Sequence, residues 1–141
     1  MLTALTLLLA TADPNHAPPP NDASGAVSIV REYYAAVSRH DYRAAYALWH
    51  GRQSYRQFRR GYAQTVRVNV TPIPPFESEG AAGSIYAGIR VRVDAALRSG
   101  RRQHFVGSYT LRRVNDVPGS TVAQRRWHIV SAQLSPVPAG R

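Results

Sequence analysis

Residues 85–95, IYAGIRVRVDA, alternate between apolar side chains and polar or small ones with a period of two. One face of this segment carries the apolar set Ile85, Ala87, Ile89, Val91, Val93 and Ala95. The opposite face carries Tyr86, Arg90, Arg92 and Asp94. Such alternation is typical of a strand with one buried and one wet face. We therefore predict a sheet that is covered on its apolar face and lined with arginine on the other.

Segments on both sides of this strand have the same period. Upstream, Val66, Val68 and Val70 alternate with polar residues, and the prolines at 72, 74 and 75 predict an edge strand or a break. Downstream, Ser99-Gly100 predicts a short hairpin into a strand over about 102–114. A loop over 115–123 and a last strand over about 124–134 complete the sheet, and Pro136 is predicted to end it.

The segment before the sheet has a helical period instead. Apolar residues predict an amphipathic helix over about 25–39, with Ser24 or Asp22 as its N-cap. Asp41 is the predicted N-cap of a second, shorter helix that runs to Trp49. The sequence SYRQ at 54–57 is a capping-box pattern, which predicts the start of a third helix. Three helices followed by four consecutive strands predict an α+β fold, with N-terminal helices packed on a curved four-stranded antiparallel sheet.

The ends of the chain differ in composition from this central part. Residues 1–12 combine a short apolar run with Ala10-Thr11-Ala12, which resembles a secretory signal peptide with a small-x-small cleavage site. Residues 13–24 form a Pro-rich linker, 25–137 the folded domain, and 138–141 a disordered tail. We expect a periplasmic or secreted bacterial protein with no transmembrane segment in the mature chain.

The charge and the cysteine content limit the chemical reactions and the binding partners open to this protein. The chain of 141 residues has no cysteine, which excludes disulfides and thiol nucleophiles, and its formal net charge is +10. A basic surface could dock onto anionic envelope polymers, and its predicted outward residues are Arg90, Arg92, Arg112 and Arg126. The aromatic residues fall on the apolar faces and not among the arginines, which argues against nucleic acid as a partner.

Several stretches together resemble one family. The residues YYAA at 33–36, DYRAAYALW at 41–49, Phe58, GY at 61–62 and WHIV at 127–130 resemble nuclear transport factor 2-like (NTF2-like) domains, and most of all exported bacterial members. The resemblance covers roughly residues 25–135. It implies a cone-shaped fold whose helices and sheet enclose a pocket. It also allows a homodimer through the open sheet face, although arginines on that face would oppose pairing.

The resemblance leaves function open, because this superfamily includes ketosteroid isomerases, scytalone dehydratases, polyketide cyclases, transport factors and accessory domains. We predict an exported non-enzymatic accessory domain, without a cofactor, that binds a small apolar ligand or a protein partner in its cone pocket. The candidate pocket-lining residues, most of which are equally good core residues, are Tyr33, Tyr34, Val37, Trp49, Phe58, Tyr62, Phe105, Tyr109, Trp127 and Ile129.

The alternative is an isomerase- or dehydratase-like pocket enzyme. Tyr33 lies eight residues before Asp41, where the isomerases that the family includes carry a pocket tyrosine. A carboxylate base is missing, however, since no acidic residue lies between positions 49 and 70. His104 and His128 are the polar pocket candidates, and either could pair with Asp94. The histidines show no pair at helical ligand spacing, so we expect neither a metal site nor an identifiable catalytic residue.

Overall fold

The structure, a computed structural model, describes residues 23–51 and 53–138. Its elements are α1 (Ser24–Ser38), α2 (Tyr42–Ala47), α3 (Tyr55–Gly61), β1 (Thr65–Ala81), β2 (Ser84–Leu97), β3 (Arg102–Val114) and β4 (His128–Val137). The strands form one curved antiparallel sheet in the order β1-β2-β3-β4, which confirms the predicted α+β architecture. The predicted signal peptide and most of the predicted linker and tail lie outside the described residues. Within those residues, no helix has the length and apolar character needed to cross a membrane.

The centre of the core lies on β2 and β3. Ile89 and Val91 are fully buried, as is Leu111 on β3. Burial of each such side chain stabilises the fold by roughly 1.5–3 kcal/mol. The alternate β2 residues Arg90 and Arg92 are exposed on the outer face. The alternation seen in the sequence therefore separates the covered face of the sheet from its wet face.

β1 is an edge strand, as its prolines predicted. It pairs with β2 along most of its length, including Pro72 opposite Val91. The register shifts between Thr65 and Arg67 and again between Ile73 and Glu77. Such irregularities bend a strand locally, and an edge position tolerates proline because one side of the strand needs no N–H donor.

The last strand is displaced from its predicted position, because it spans His128–Val137 and not 124–134. Thr121 and Gln124 exchange hydrogen bonds between side chain and backbone, at 2.9 and 3.1 Å, and these bonds fold the preceding segment into a turn. At its other end the strand continues through Pro136, which pairs with Phe105. The prediction that Pro136 ends the element is wrong because β4 is the second edge of the sheet.

α1 lies across the covered face and joins the sheet at its end. The Ser38 hydroxyl donates to the Val68 carbonyl at 2.6 Å and accepts from the Val68 N–H at 3.1 Å. The N-cap prediction was wrong for Ser24, which is the first helical residue, and Ala23 occupies the cap without a side-chain bond. Asp22 lies outside the described residues.

The two short helices begin as predicted, but α2 ends early. Asp41 caps α2 by accepting from the Ala44 N–H at 3.1 Å, and the capping box opens α3. α2 stops at Ala47 and does not reach Trp49. The reason is tertiary: the Leu48 carbonyl accepts from Ile129 N–H, and His50 N–H donates to the Ile129 carbonyl, each at 2.8 Å. Residues 48–50 are thereby held along β4.

Candidate functional site

A cavity of about 350 Å³ lies between the helices and the covered face of the sheet. Its most exposed lining residues are Gln53 and Gly61, which mark the rim. The complete lining is Tyr33, Tyr34, Trp49, Gln53, Phe58, Gly61, Tyr62, Thr65, Val68, Val93, Ala95, Gln103, Phe105, Tyr109 and Leu134. None of these side chains carries a charge, so the described wall of the cavity is neutral and largely aromatic.

Four tyrosines in this wall form two hydroxyl pairs. Consecutive positions on α1 place Tyr33 and Tyr34 side by side, with ring centroids 4.9 Å apart. The Tyr33 hydroxyl contacts the Tyr62 hydroxyl at 2.6 Å. The Tyr34 hydroxyl is hydrogen-bonded to the Tyr109 hydroxyl on β3. The pairs link α1 to α3 and to the sheet, so they set the distance between the walls.

Trp49 brings a further polar group to the cavity. Its backbone is held beside β4, where it forms a parallel bridge with Ile129. Its indole Nε1 is buried and has no partner in hydrogen-bonding geometry among the described residues. The indole is nevertheless near enough to Tyr33 to offset part of the rise in that residue's pKa. A buried donor without an acceptor costs roughly 1–3 kcal/mol, a cost that an acceptor atom brought within reach of this N–H would remove.

Each tyrosine pair in the cavity wall has one O–H donor that the pair itself does not use. Each tyrosine hydroxyl carries one proton, and a pair of hydroxyls uses only one of its two protons internally. Among the described residues, the Trp49 indole is the further group placed close to these hydroxyls, beside Tyr33. One O–H from each pair therefore remains, together with the indole N–H of Trp49. The O–H groups that the two pairs do not use are donors that an acceptor atom in the cavity can meet.

The four phenols stay neutral. Burial is the largest cause that raises the pKa of Tyr33, Tyr34, Tyr62 and Tyr109 above the usual value for tyrosine. Repulsion between neighbouring phenolates adds to the rise for Tyr33, Tyr34 and Tyr109. At neutral pH these groups are donors and acceptors of hydrogen bonds, and they carry no negative charge that would repel an electron-rich ligand.

Seven of the ten candidate pocket residues from the sequence meet around this cavity: Tyr33, Tyr34, Trp49, Phe58, Tyr62, Phe105 and Tyr109. Val37, Trp127 and Ile129 are buried but do not line it. Trp127 packs instead against the start of α1, where a Cβ on Gly25 would lie 2.9 Å from the indole. Ile129 is fully buried in the core, and its backbone bridges to that of Trp49.

Neither candidate histidine lines the cavity. His104 projects from the outer face of β3, where its Nδ1 lies 2.5 Å from the Asp94 carboxylate. His128 starts β4, and its ring stacks on His50 with centroids 3.7 Å apart. The two therefore sit at opposite ends of the β3–β4 pairing, since His104 faces Val137 across the ladder. Among the described residues, no group of three histidines or acids could hold a metal ion.

The four predicted outward arginines are mostly engaged within the chain. Arg90 donates to the Pro74 carbonyl at 2.9 Å, Arg92 lies 3.4 Å from Asp94, and Arg112 donates to the Ser84 hydroxyl at 3.0 Å. Arg126 is exposed, but it lies in the turn before β4 and not on a strand. These contacts use part of the hydrogen-bonding capacity that a docking surface for polyanions would need.

Sequence reasoning missed a second set of lining residues: Gln53, Gly61, Thr65, Val68, Val93, Ala95, Gln103 and Leu134. The inward positions on β2 were identified as apolar, but nothing local separates Val93, which lines the cavity, from Val91, which does not. The two glutamines have no periodic signal at all. Their place in the wall follows from long-range packing.

No protein-family model matches the sequence, and no curated protein matches it. Solved structures do match. An NTF2-like superfamily protein from Salmonella enterica serovar Typhimurium LT2 has 15% identity and a TM-score of 0.56, over 83% of this chain and 91% of that one. A proposed dehydratase of the NTF2-like family from Streptomyces avermitilis has 16% identity and a TM-score of 0.55, over 86% and 100%. The chain has the NTF2-like fold.

A conserved protein from Planctomyces limnophilus matches with 9% identity and a TM-score of 0.56, over 82% of this chain and 98% of that one. Identities this low establish the NTF2-like fold and nothing about activity. Function therefore has to be argued from the cavity itself. The NTF2-like fold locates that cavity between the helices and the sheet, and the side chains in its wall define its chemistry.

Proposed function

We propose that this NTF2-like domain binds a small, neutral, mostly apolar molecule in its cavity, and that the molecule carries at least one oxygen that accepts a hydrogen bond. The observation that carries the proposal is the buried Nε1 of Trp49, which has no hydrogen-bond partner among the described residues and lies in a wall whose described side chains carry no charge. An apolar ligand with a carbonyl or ether oxygen would satisfy this donor and cover the aromatic rings.

The charge of the wall favours a neutral ligand. Burial of an ionised group without a counter-charge is strongly unfavourable. No described lining residue is arginine, histidine, aspartate or glutamate. An anionic or cationic ligand would therefore have to leave its charge at the rim, near Gln53 or Gly61.

A role in binding, without catalysis, is supported by the same wall. Isomerase or dehydratase chemistry needs a group that accepts a proton close to the substrate. The His104–Asp94 pair has the right residue types but lies on the outer face of the sheet. The tyrosines can donate hydrogen bonds, but their raised pKa values keep them protonated at neutral pH, so they cannot take up a proton from a substrate.

Binding can be tested with prodan, a neutral naphthalene ketone whose emission moves to shorter wavelength in apolar surroundings. We expect a saturable blue shift with the full chain. Trp49→Phe removes the donor and keeps an aromatic ring, so it should weaken prodan binding about fivefold, the equivalent of one hydrogen bond. Trp127→Phe is the matched control, because Trp127 lies outside the cavity, and it should leave the affinity within twofold.

Filling the cavity gives a second test with a neighbouring control. Ala95 lines the cavity, whereas Ala96, the next residue of β2, does not. Ala95→Leu should reduce prodan affinity at least tenfold, and Ala96→Leu should not change it. Equal binding by both variants and the parent protein would place prodan elsewhere and contradict the proposal.

We further propose that the protein is exported. The apolar run at 2–10 and the Ala10-Thr11-Ala12 sequence support this. Expression in a bacterial host, followed by N-terminal sequencing of the secreted or periplasmic protein, should give Asp13 as the first residue. Recovery of the uncleaved chain from the cytoplasm alone would count against export.

A further inference from the structure

A second concave site lies at the helical end of the molecule, and it shares no lining residue with the aromatic cavity. We call it the arginine cleft. It encloses about 540 Å³ and is lined by His40, Asp41, Tyr42, Arg43, Tyr55, Arg59, Ala63 and Arg98. The three arginines come from α2, α3 and the β2–β3 hairpin, so distant parts of the sequence meet here.

Two of these arginines are held in place by contacts that leave N–H donors free. The Arg43 guanidinium lies over the Tyr55 ring, 3.9 Å from its centroid. Arg98 donates from Nε to the Ala63 carbonyl at 3.1 Å, and its backbone N–H donates to Gln64 at 2.8 Å. The terminal nitrogens of Arg98 have no protein acceptor among the described residues. Arginines fixed in this way lose little conformational entropy when they bind a ligand.

The third arginine, Arg59, is in the last turn of α3 and is exposed. Among the described residues its side chain makes no hydrogen bond, ion pair or ring contact, so its guanidinium is fully available. This contrasts with the outer sheet face, where Arg92 and Arg112 already have partners. The cleft therefore holds at least one guanidinium with all of its donors available.

The single acid of the cleft does not neutralise it. Asp41 uses one carboxylate oxygen to cap α2, and the other lies 3.8 Å from Arg39. The lining residues thus carry three positive charges against one negative charge that is already engaged. His40 has a left-handed backbone (φ 62°), rare for a residue with a side chain, and its ring contacts the Val66 carbonyl and the Tyr42 hydroxyl at 3.2 Å. This conformation ends α1, because it lets the Asp41 N–H donate to the Ala36 carbonyl at 2.9 Å.

We propose that the arginine cleft binds the phosphate group of a small soluble phosphate ester. Guanidinium groups bind phosphate oxygens through paired, charge-assisted hydrogen bonds. The cleft is much larger than a phosphate ion, and the rings of Tyr42 and Tyr55 provide an apolar surface beside the arginines for the organic part. This site is independent of the cavity and of the neutral ligand proposed for it.

The test uses phenyl phosphate, titrated into the full-length, isotope-labelled protein at low salt and followed by NMR. We expect saturable shifts of the side-chain Nε–H signals of Arg43, Arg59 and Arg98. Arg59→Gln should raise the apparent Kd about fivefold or more, because a charge-assisted hydrogen bond is lost. Inorganic phosphate should bind more weakly than phenyl phosphate, since it lacks the ring.

Arg60→Gln is the matched control. Arg60 follows Arg59 on the same helix, is equally exposed and carries the same charge, but does not line the cleft. It should change the Kd less than twofold. Equal weakening by the two variants would show that only the net charge matters, and this would overturn the site. So would the absence of saturable shifts, or Arg59-dependent binding to phosphatidylglycerol vesicles without binding of phenyl phosphate.

Discussion

The Tyr34–Tyr109 hydroxyl pair offers a quantitative test of how the helices are joined to the sheet. Both side chains are almost fully buried, with 3% and 2% of their surface exposed. Tyr34→Phe removes one hydroxyl and leaves the Tyr109 hydroxyl without its partner, and Tyr109→Phe does the reverse. Loss of a partner for a buried polar group destabilises a protein by about 1–3 kcal/mol.

The cavity moderates this cost. Tyr34 and Tyr109 both line it, so a water molecule there can satisfy an orphaned hydroxyl in part. We therefore expect each single variant to lose about 1–1.5 kcal/mol of unfolding free energy. The double variant leaves no orphan, so it should lose about as much as one single variant. The coupling energy should accordingly be about 1 kcal/mol.

Urea unfolding followed by circular dichroism measures all four proteins of this cycle. Tyr86→Phe is the control, because Tyr86 is 39% exposed on the outer face, and its unfolding free energy should change by less than about 0.3 kcal/mol. If both single variants were as stable as the parent, or if the double variant lost the full sum, the hydroxyl pair would not be stabilising the domain as argued.

Three further perturbations probe other parts of the molecule. Gly107→Ala should lower the unfolding free energy by about 1–3 kcal/mol in the same urea assay, because its Cβ would lie 1.8 Å from the Gln133 carbonyl oxygen and β4 would have to move. An unchanged urea midpoint would mean that β3 and β4 are farther apart at this position. The hydrogen bond from His104, with help from Arg92, holds the pKa of Asp94 below its usual value, so its stabilising effect is present above about pH 4 and is lost as pH falls further. Asp94→Asn should therefore be less stable than the parent at pH 6, and the gap should close towards pH 2; a constant gap would refute this. The pKa of His50 is lowered first by partial burial and then by the His128 ring and Arg112, so protonation of His50 opposes folding. His50→Ala should therefore lose less stability than the parent protein as the pH falls from about 7 to about 5. Identical slopes for the two proteins would contradict that assignment.

The errors of sequence analysis occurred where long-range contacts override local signals. The helical spacing of its apolar residues predicts that α2 runs to Trp49, but hydrogen bonds to Ile129 convert residues 48–50 into a strand-like segment. Trp127 is typical of a strand residue and predicts an earlier start for β4, but it packs against Gly25 before the strand begins. In both cases the deciding partner lies some 80 to 100 positions away in the chain.

Part of the candidate site can be predicted from the sequence, because it depends on which faces of the helices and strands are apolar. Large aromatic residues on the apolar faces of α1, α3 and β3 have to meet in a small domain, so Tyr33, Tyr62 and Tyr109 could be placed near a common centre. Which hydroxyl pairs with which was not accessible. It depends on the registration of α1 against the sheet, which is fixed by contacts such as that of Ser38 with Val68.

The sequence by itself determined the order of helices and strands, and the faces of β2 that are buried and exposed, because a periodicity of 3.6 or 2 is a local property of the chain. The tertiary structure alone decided that the described wall of the cavity is uncharged, that Trp49 Nε1 has no acceptor among the described residues, and that His104 faces outward beside Asp94. It also decided that arginines from three separate elements share one cleft. The physical reason is that each of these features depends on the distance between groups far apart in sequence, which only the packed fold defines.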